Sequence, residues 1–177
     1  MVEIRTIQAL VQQLPVFVTG PPDCSIEDSY VHSCIAPILK PIFACESFLR
    51  IEWANCHLNK KDSKGKKTVK VKGQLKVKDN KPDFAANVKA PNSWISVVVC
   101  EFKRPGFSPC FESDLVKIGK EMRTMLNYLI RLGVPSPSVG GILIQGRQIT
   151  TFQFDIVAPK LYRMVKLCEL VMFDTLD

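Results

Sequence analysis

The stretch Lys81–Val88, KPDFAANV, followed by Val97–Pro105, VVVCEFKRP, decides how this chain is read. A buried strand gains from valine and isoleucine and loses from unpaired charge. The apolar run from Trp94 to Phe102 nevertheless delivers Glu101 and Lys103 just before Pro105 ends it. Residues two apart in a strand project from one face, so these two side chains stand roughly 6–7 Å apart. Asp83 follows Pro82, whose ring favours a turn or a strand start over a helix. If a strand opening at Asp83 lies beside that of Glu101, two carboxylates and an ammonium converge.

Two carboxylates with spare water positions suit Mg²⁺, or Mn²⁺ in its place, because hard oxygen donors match a cation that keeps several waters. Such an ion binds a phosphate oxygen, acidifies its bound water and stabilises in-line displacement at phosphorus. Lys103 then either handles the attacking water or stabilises charge developing on the phosphate. A Glu-x-Lys triplet is by itself a weak signal, with about one chance match expected in a chain of this size. A plain Glu101–Lys103 salt bridge is the competing reading.

Beyond Pro105, ESDLVKIGKEMRTMLNYLIRLGV carries Leu115, Ile118, Met122, Met125, Leu126, Leu129 and Ile130 at helical spacing, with Ser113 as cap. Lys117, Lys120, Arg123 and Arg131 gather on the other side of this helix. They are a solvated face by default and phosphate contacts by the second reading. After the turn GVPSPSVGG, the runs ILIQ and ITTFQFDIV predict two strands joined by Gly146-Arg147-Gln148. The segment LYRMVKLCELVMF alternates at first and then fits strand and helix equally.

Upstream, residues 60–81 hold ten lysines against two aspartates. Val69, Val71, Leu75 and Val77 alternate with Lys70, Lys72, Lys76 and Lys78, the period-2 mark of a strand or hairpin with one wet face. Those lysines are either a solubilising edge or a phosphate-facing ribbon. The preceding KKDSKGKK also fits a nuclear-import patch. Ser25 opens a helical pattern through Ile26, Tyr30, Val31, Cys34, Ile35 and Ile38, with Asp28 placed for a capping box and Pro37 and Pro41 limiting its end. Residues 1–24 form an N-terminal extension, with a helix over Ile4–Gln13, and residues 25–177 a single domain.

The order of elements predicts a mixed α/β fold with no internal repeat. The 177 residues suffice for one core, and 46% apolar with 23% charged residues excludes a disordered chain. The net charge of +7 favours polyanions such as nucleic acid over neutral partners. No apolar run reaches the roughly 20 residues of a spanning helix, so no membrane role is expected. The N-terminal stretch lacks the marks of a signal peptide. Seven scattered cysteines with no C-x-x-C pair predict reduced thiols in an intracellular protein, nuclear or cytoplasmic. With only His32 and His57, neither at ligand spacing to a cysteine, zinc is disfavoured.

Pro82-Asp83, seventeen intervening residues and Glu101-x-Lys103, with a helix before and a helix after, resemble the PD-(D/E)XK nuclease superfamily, the restriction-endonuclease-like fold. The further run is similar to uncharacterised fungal members of that group. The likeness takes in EDSYVHSCIAPILKPIF, IEWAN, KPD, CEFKRP, SDLVKIGKEM and GGILIQGRQITTFQF…LYRMVKL, most of the chain after residue 25. It implies a central mixed sheet flanked by helices and metal-dependent hydrolysis of phosphodiesters in nucleic acid, DNA ahead of RNA. By motif match, Asp83 and Glu101 hold the metal and Lys103 serves the hydrolysis. Glu27 on the first core helix completes the site, and Gln145 matches an accessory polar position. Cys100 stands where a small residue is more usual, and the lysine stretch is longer and more basic than the usual connection. The same residues also suit a catalytically inactive nucleic-acid-binding or protein-interaction module on this fold. The oligomeric state stays open, a homodimer included.

Overall fold

In the computed structural model, which describes residues 2–20, 25–44, 46–53, 58, 81–91, 93–106 and 111–172, β1 (Leu49–Trp53), β2 (Phe84–Ala90) and β3 (Ser93–Lys103) form an antiparallel meander. A long helix then crosses over the sheet and returns the chain parallel to β3 as β4 (Ser138–Gln145). β5 (Gln148–Ala158) and β6 (Leu161–Val171) extend the sheet as antiparallel neighbours. The six strands lie in sequence order. This is a mixed α/β sheet with helices on both faces.

Before the strands come α1 (Val2–Thr19), α2 (Glu27–Tyr30), a π-helical turn at Val31–Ile35 and α3 (Ala36–Phe43). The crossover helix is α4 (Phe111–Arg131). The π-helical turn falls just ahead of Pro37, which has no N–H to continue an α-helical ladder. α1 packs on α3, and Gln13 donates its side-chain amide to the Cys34 carbonyl at 2.8 Å.

β3 is buried on both faces because each face meets a different helical layer. Val99 packs with Ala85, Leu143, Ile118, Met122 and Met125 under α4. Cys100 and Phe102 face the other way, with Phe84, Ile144, Tyr30, Ile35 and Leu39. Trp53 joins that second core, its ring 4.8 Å from Phe84 and 6.2 Å from Phe102 between centroids. Gly141 on β4 lets α4 come close: a Cβ there would meet Met122 Sδ at 2.5 Å and Ile118 Cδ1 at 3.2 Å.

Several expectations are corrected. The first helix runs to Thr19, through Pro15, rather than stopping at Gln13. Ile26, not Ser25, is the N-cap of α2 and no side chain caps it, so the residues of the expected capping box are out of register by one. α4 starts at Phe111, which places Ser113 inside the helix. Ile130 is exposed, at the edge of the stripe it was assigned to. Gln148 pairs with Gln145 as the first residue of β5, leaving a two-residue loop, Gly146-Arg147. The final ambiguous segment is a strand, paired with β5 along its length. The lysine-rich ribbon at 60–80, with Lys70, Lys72, Lys76 and Lys78, lies outside the described residues.

Candidate functional site

The antiparallel register pairs Phe84 with Cys100 and Ala85 with Val99. One step further along the same ladder, Asp83 stands across from Glu101. β2 has ended there, and the Asp83 side chain takes over its role: Oδ2 accepts the Phe102 amide at 2.9 Å. Pro82 is buried, which anchors the approach to this bend. The structure therefore brings together the two carboxylates that the sequence left eighteen residues apart.

Glu101 is buried, at 1% exposure, and points to the α4 side of the sheet. Its Oε2 accepts a hydrogen bond and ion pair from Lys117 of α4. Lys117 thus leaves the outer face, where it was expected beside Lys120 and Arg123, and is the half-exposed member of a pair with a buried carboxylate. One helical turn on from Lys117, Glu121 is fully buried beside Glu101. With both carboxylates ionised, Glu101 Oε1 and both Glu121 oxygens have no hydrogen-bond partner. With one proton between them the two carboxyls can bond to each other, which a buried pair of like charges favours.

The electrostatics follow from this crowding. Burial pushes the Glu101 pKa up from 4.5 to about 9, with Asp83 and Glu121 adding to it against the pull of Lys117. Burial likewise raises Glu121, to about 7, with the charge of Lys117 opposing. For Lys117, burial works to lower the pKa, but the hydrogen bond and charge of Glu101, with Asp83 and Glu121 behind, outweigh it and raise it. Both senses carry one message, that the cluster is short of positive charge. Cys100 on the opposite face is held as a neutral thiol by burial and then by Asp83, Glu101 and Glu121.

The other expected residues fall at different distances from this centre. Lys103 ends β3 with its ammonium donating to the Phe102 carbonyl at 2.9 Å, so it is tied to the strand end and not to Glu101. Glu27, in the first turn of α2, lines a cavity of about 70 Å³ together with Asp28, His32, Trp53, Phe102 and Asp83. Asp83 thus borders both this cavity and the Glu101 cluster. Gln145 pairs with Lys103 in the β3–β4 ladder, and its side chain donates to the buried Asp114 of α4 at 3.1 Å. Lys120 is exposed on α4, and the Arg123 guanidinium lies 5.1 Å over the Tyr162 ring of β6.

Asp114, Lys117 and Glu121 share one stripe of α4 that faces the β3–β4 strand ends, each within reach of a strand residue or of its partner there. Asp114 and Glu121 escaped the sequence reading. The available signal was position: Glu121 lies three residues after Ile118 and four before Met125, inside the apolar stripe.

The donors fit a hard divalent cation, because the orphaned buried atoms are all carboxylate oxygens. Among the described residues no three His, Cys, Asp or Glu side chains are gathered as a protein-only metal cage. Such a cation here would therefore share its coordination with water or substrate oxygen. Also among the described residues, no helix is long and apolar enough to cross a membrane. Among the described residues, Cys100 and Cys168 are free thiols. No protein-family model, curated protein or solved structure matches this chain.

Proposed function

We propose that the protein is a divalent-metal-dependent nuclease of the PD-(D/E)XK kind, hydrolysing phosphodiester bonds in nucleic acid, with DNA ahead of RNA. The observation that carries this reading is Glu101, a buried carboxylate at the end of a central strand with one oxygen unpartnered and Asp83 across the ladder. A core that spends burial on an unsatisfied carboxylate loses stability, and a site that must grip a cation supplies a reason. The meander, crossover helix and parallel fourth strand agree with the fold the motif implies.

Asp83 and Glu101 would hold Mg²⁺ or Mn²⁺, which supplies Lewis acidity toward a phosphate oxygen and toward bound water. Hydrolysis adds hydroxyl to phosphorus and breaks the ester P–O bond, and the leaving alkoxide takes up a proton. Lys103, at the strand end, would face the phosphate after its ammonium leaves the Phe102 carbonyl. Glu27 approaches from the α2 side of the shared cavity. Lys120 and Arg123 offer positive charge on the exposed side of α4, and charge of this kind binds phosphates without sequence preference.

The test is cleavage of supercoiled, linear and single-stranded DNA and of RNA in EDTA, Mg²⁺ or Mn²⁺, with wild type, Asp83→Ala, Glu101→Ala and Lys103→Ala. Metal-dependent cleavage abolished by the carboxylate changes is the expected result. Equal cleavage by the variants would sink the assignment. One observation favours a second reading, a non-catalytic nucleic-acid-binding module: Lys117 already neutralises one Glu101 oxygen and Lys103 bonds its own strand. Salt-sensitive binding with no turnover under any metal would select that reading.

A further inference from the structure

We infer that the cation is gripped between β3 and α4, by Glu101 together with Glu121, and that Lys117 is the resident counter-charge that a divalent ion displaces. The inference rests on the metal-dependent reading above and adds two residues of α4 that the motif does not contain. Glu121 is fully buried, and its oxygens find no donor other than a proton shared with Glu101. Glu101 beside it has one oxygen in the same condition and the other on Lys117. Three buried carboxylate oxygens with no donor beyond that shared proton form a site with a definite chemistry, hard and anionic.

Charge counting points the same way. Once a cation has displaced the shared proton, Asp83, Glu101 and Glu121 set three negative charges against the one positive charge of Lys117, and the residual −2 equals what one divalent ion brings. Asp83 has one oxygen committed to the Phe102 amide, which leaves Glu101 and Glu121 as the freer pair. Mg²⁺ is commonly held by one or two carboxylates, with water and phosphate filling its octahedron. Glu101 and Glu121 can therefore carry the grip, with Asp83 beside them on the strand side. Lys117 is 38% exposed in its side chain, so its ammonium has a route to solvent, and the place it leaves is the side from which water and phosphate would reach the buried glutamates.

The experiment measures Mn²⁺ binding to the full chain by the loss of the free-ion paramagnetic resonance signal, at low salt and pH 8. Wild type is compared with Glu121→Gln, Glu101→Gln and Lys117→Met. Outer-shell partners of metal sites already cost about 10–100-fold in affinity, so each glutamine variant is expected to lose at least that. Lys117→Met is expected to bind Mn²⁺ several-fold more tightly, because the competing ammonium is gone. Melting in EDTA guards against misfolding: Glu121→Gln removes a buried charge and should melt no lower than wild type, whereas a merely structural Glu121 would melt lower when changed. Glu121→Gln binding Mn²⁺ as well as wild type, while Glu101→Gln does not, overturns the role of α4 and spares the nuclease reading. No Mn²⁺ binding by wild type overturns this inference, and absence of cleavage in the same preparation overturns the nuclease reading with it.

Discussion

The Lys117 ammonium of α4 rests on the Glu101 carboxylate of β3, joining the crossover helix to the central strand through one ion pair. Breaking a fully buried pair from one side costs about 3–5 kcal/mol. Lys117 is part-exposed, and Glu101, raised to about 9, can take up a proton when its partner leaves, so Lys117→Met should cost less, about 1–2 kcal/mol at pH 9. Urea unfolding in EDTA measures it. The loss should shrink at pH 5, and an equal loss at both values would mean that the methylene stem, and not the charge, stabilises the fold.

α4 can reach β3 only because β4 is thin beneath it. At Gly141 an added methyl would lie 2.5 Å from Met122 Sδ and 3.2 Å from Ile118 Cδ1. Methionine is pliable and gives way in part, so Gly141→Ala is expected to cost about 1–3 kcal/mol, the usual range for an overfilled core. Thermal melting reads this directly. A neutral result would show that α4 has slack, which would loosen the argument that the helix is held against Glu101.

What the sequence revealed and what it hid divide along physical lines. The strand carrying Glu101, the body of α4 and the hairpin of β4 and β5 were legible because hydrophobic periodicity reports burial directly. Asp83 opposite Glu101 was legible as a conditional, since the proline-aspartate bend fixed where a strand must start. Lys117 was misread because a lysine near the edge of an amphipathic stripe defaults to solvent, and only the sheet below shows that an acid awaits it. Glu121 was invisible for the converse reason, as a charge within an apolar stripe reads as noise until its neighbours are known. β6 stayed ambiguous because both its faces are largely exposed, so alternation has little to report.

The exposed side of α4 gives a prediction about affinity. Lys120 is exposed, whereas Arg123 is stacked over Tyr162. Lys120→Glu should weaken nucleic-acid binding across sequences and reduce the slope of log K against log salt by about 1, the signature of one phosphate contact. Arg123→Ala should also lower stability by about 0.5–1 kcal/mol through the lost ring contact. Filter binding at several salt concentrations separates the two. An unchanged slope in Lys120→Glu would remove this face from the interface.

The buried carboxyls set the response to pH. Glu101 is raised from 4.5 to about 9 and Glu121 to about 7, so the native state keeps protons that the unfolded chain has released. The unfolded state binds fewer protons across that interval, and stability falls as pH rises. Their contribution is full below about pH 4.5 and is lost progressively through pH 7 and on to 9. Lys117 is raised above 10.5, so its contribution stays constant across the same interval and is lost only above it. In EDTA the urea midpoint is therefore expected to drop from pH 5 to pH 9. Glu121→Gln should flatten the lower part of that curve. Mn²⁺ at pH 9 should restore the midpoint, because a divalent ion supplies the positive charge that protons bring at low pH. A midpoint that instead rises with pH in EDTA would mean that the folded protein holds both glutamates ionised, with charge on the protein itself sufficient to balance them.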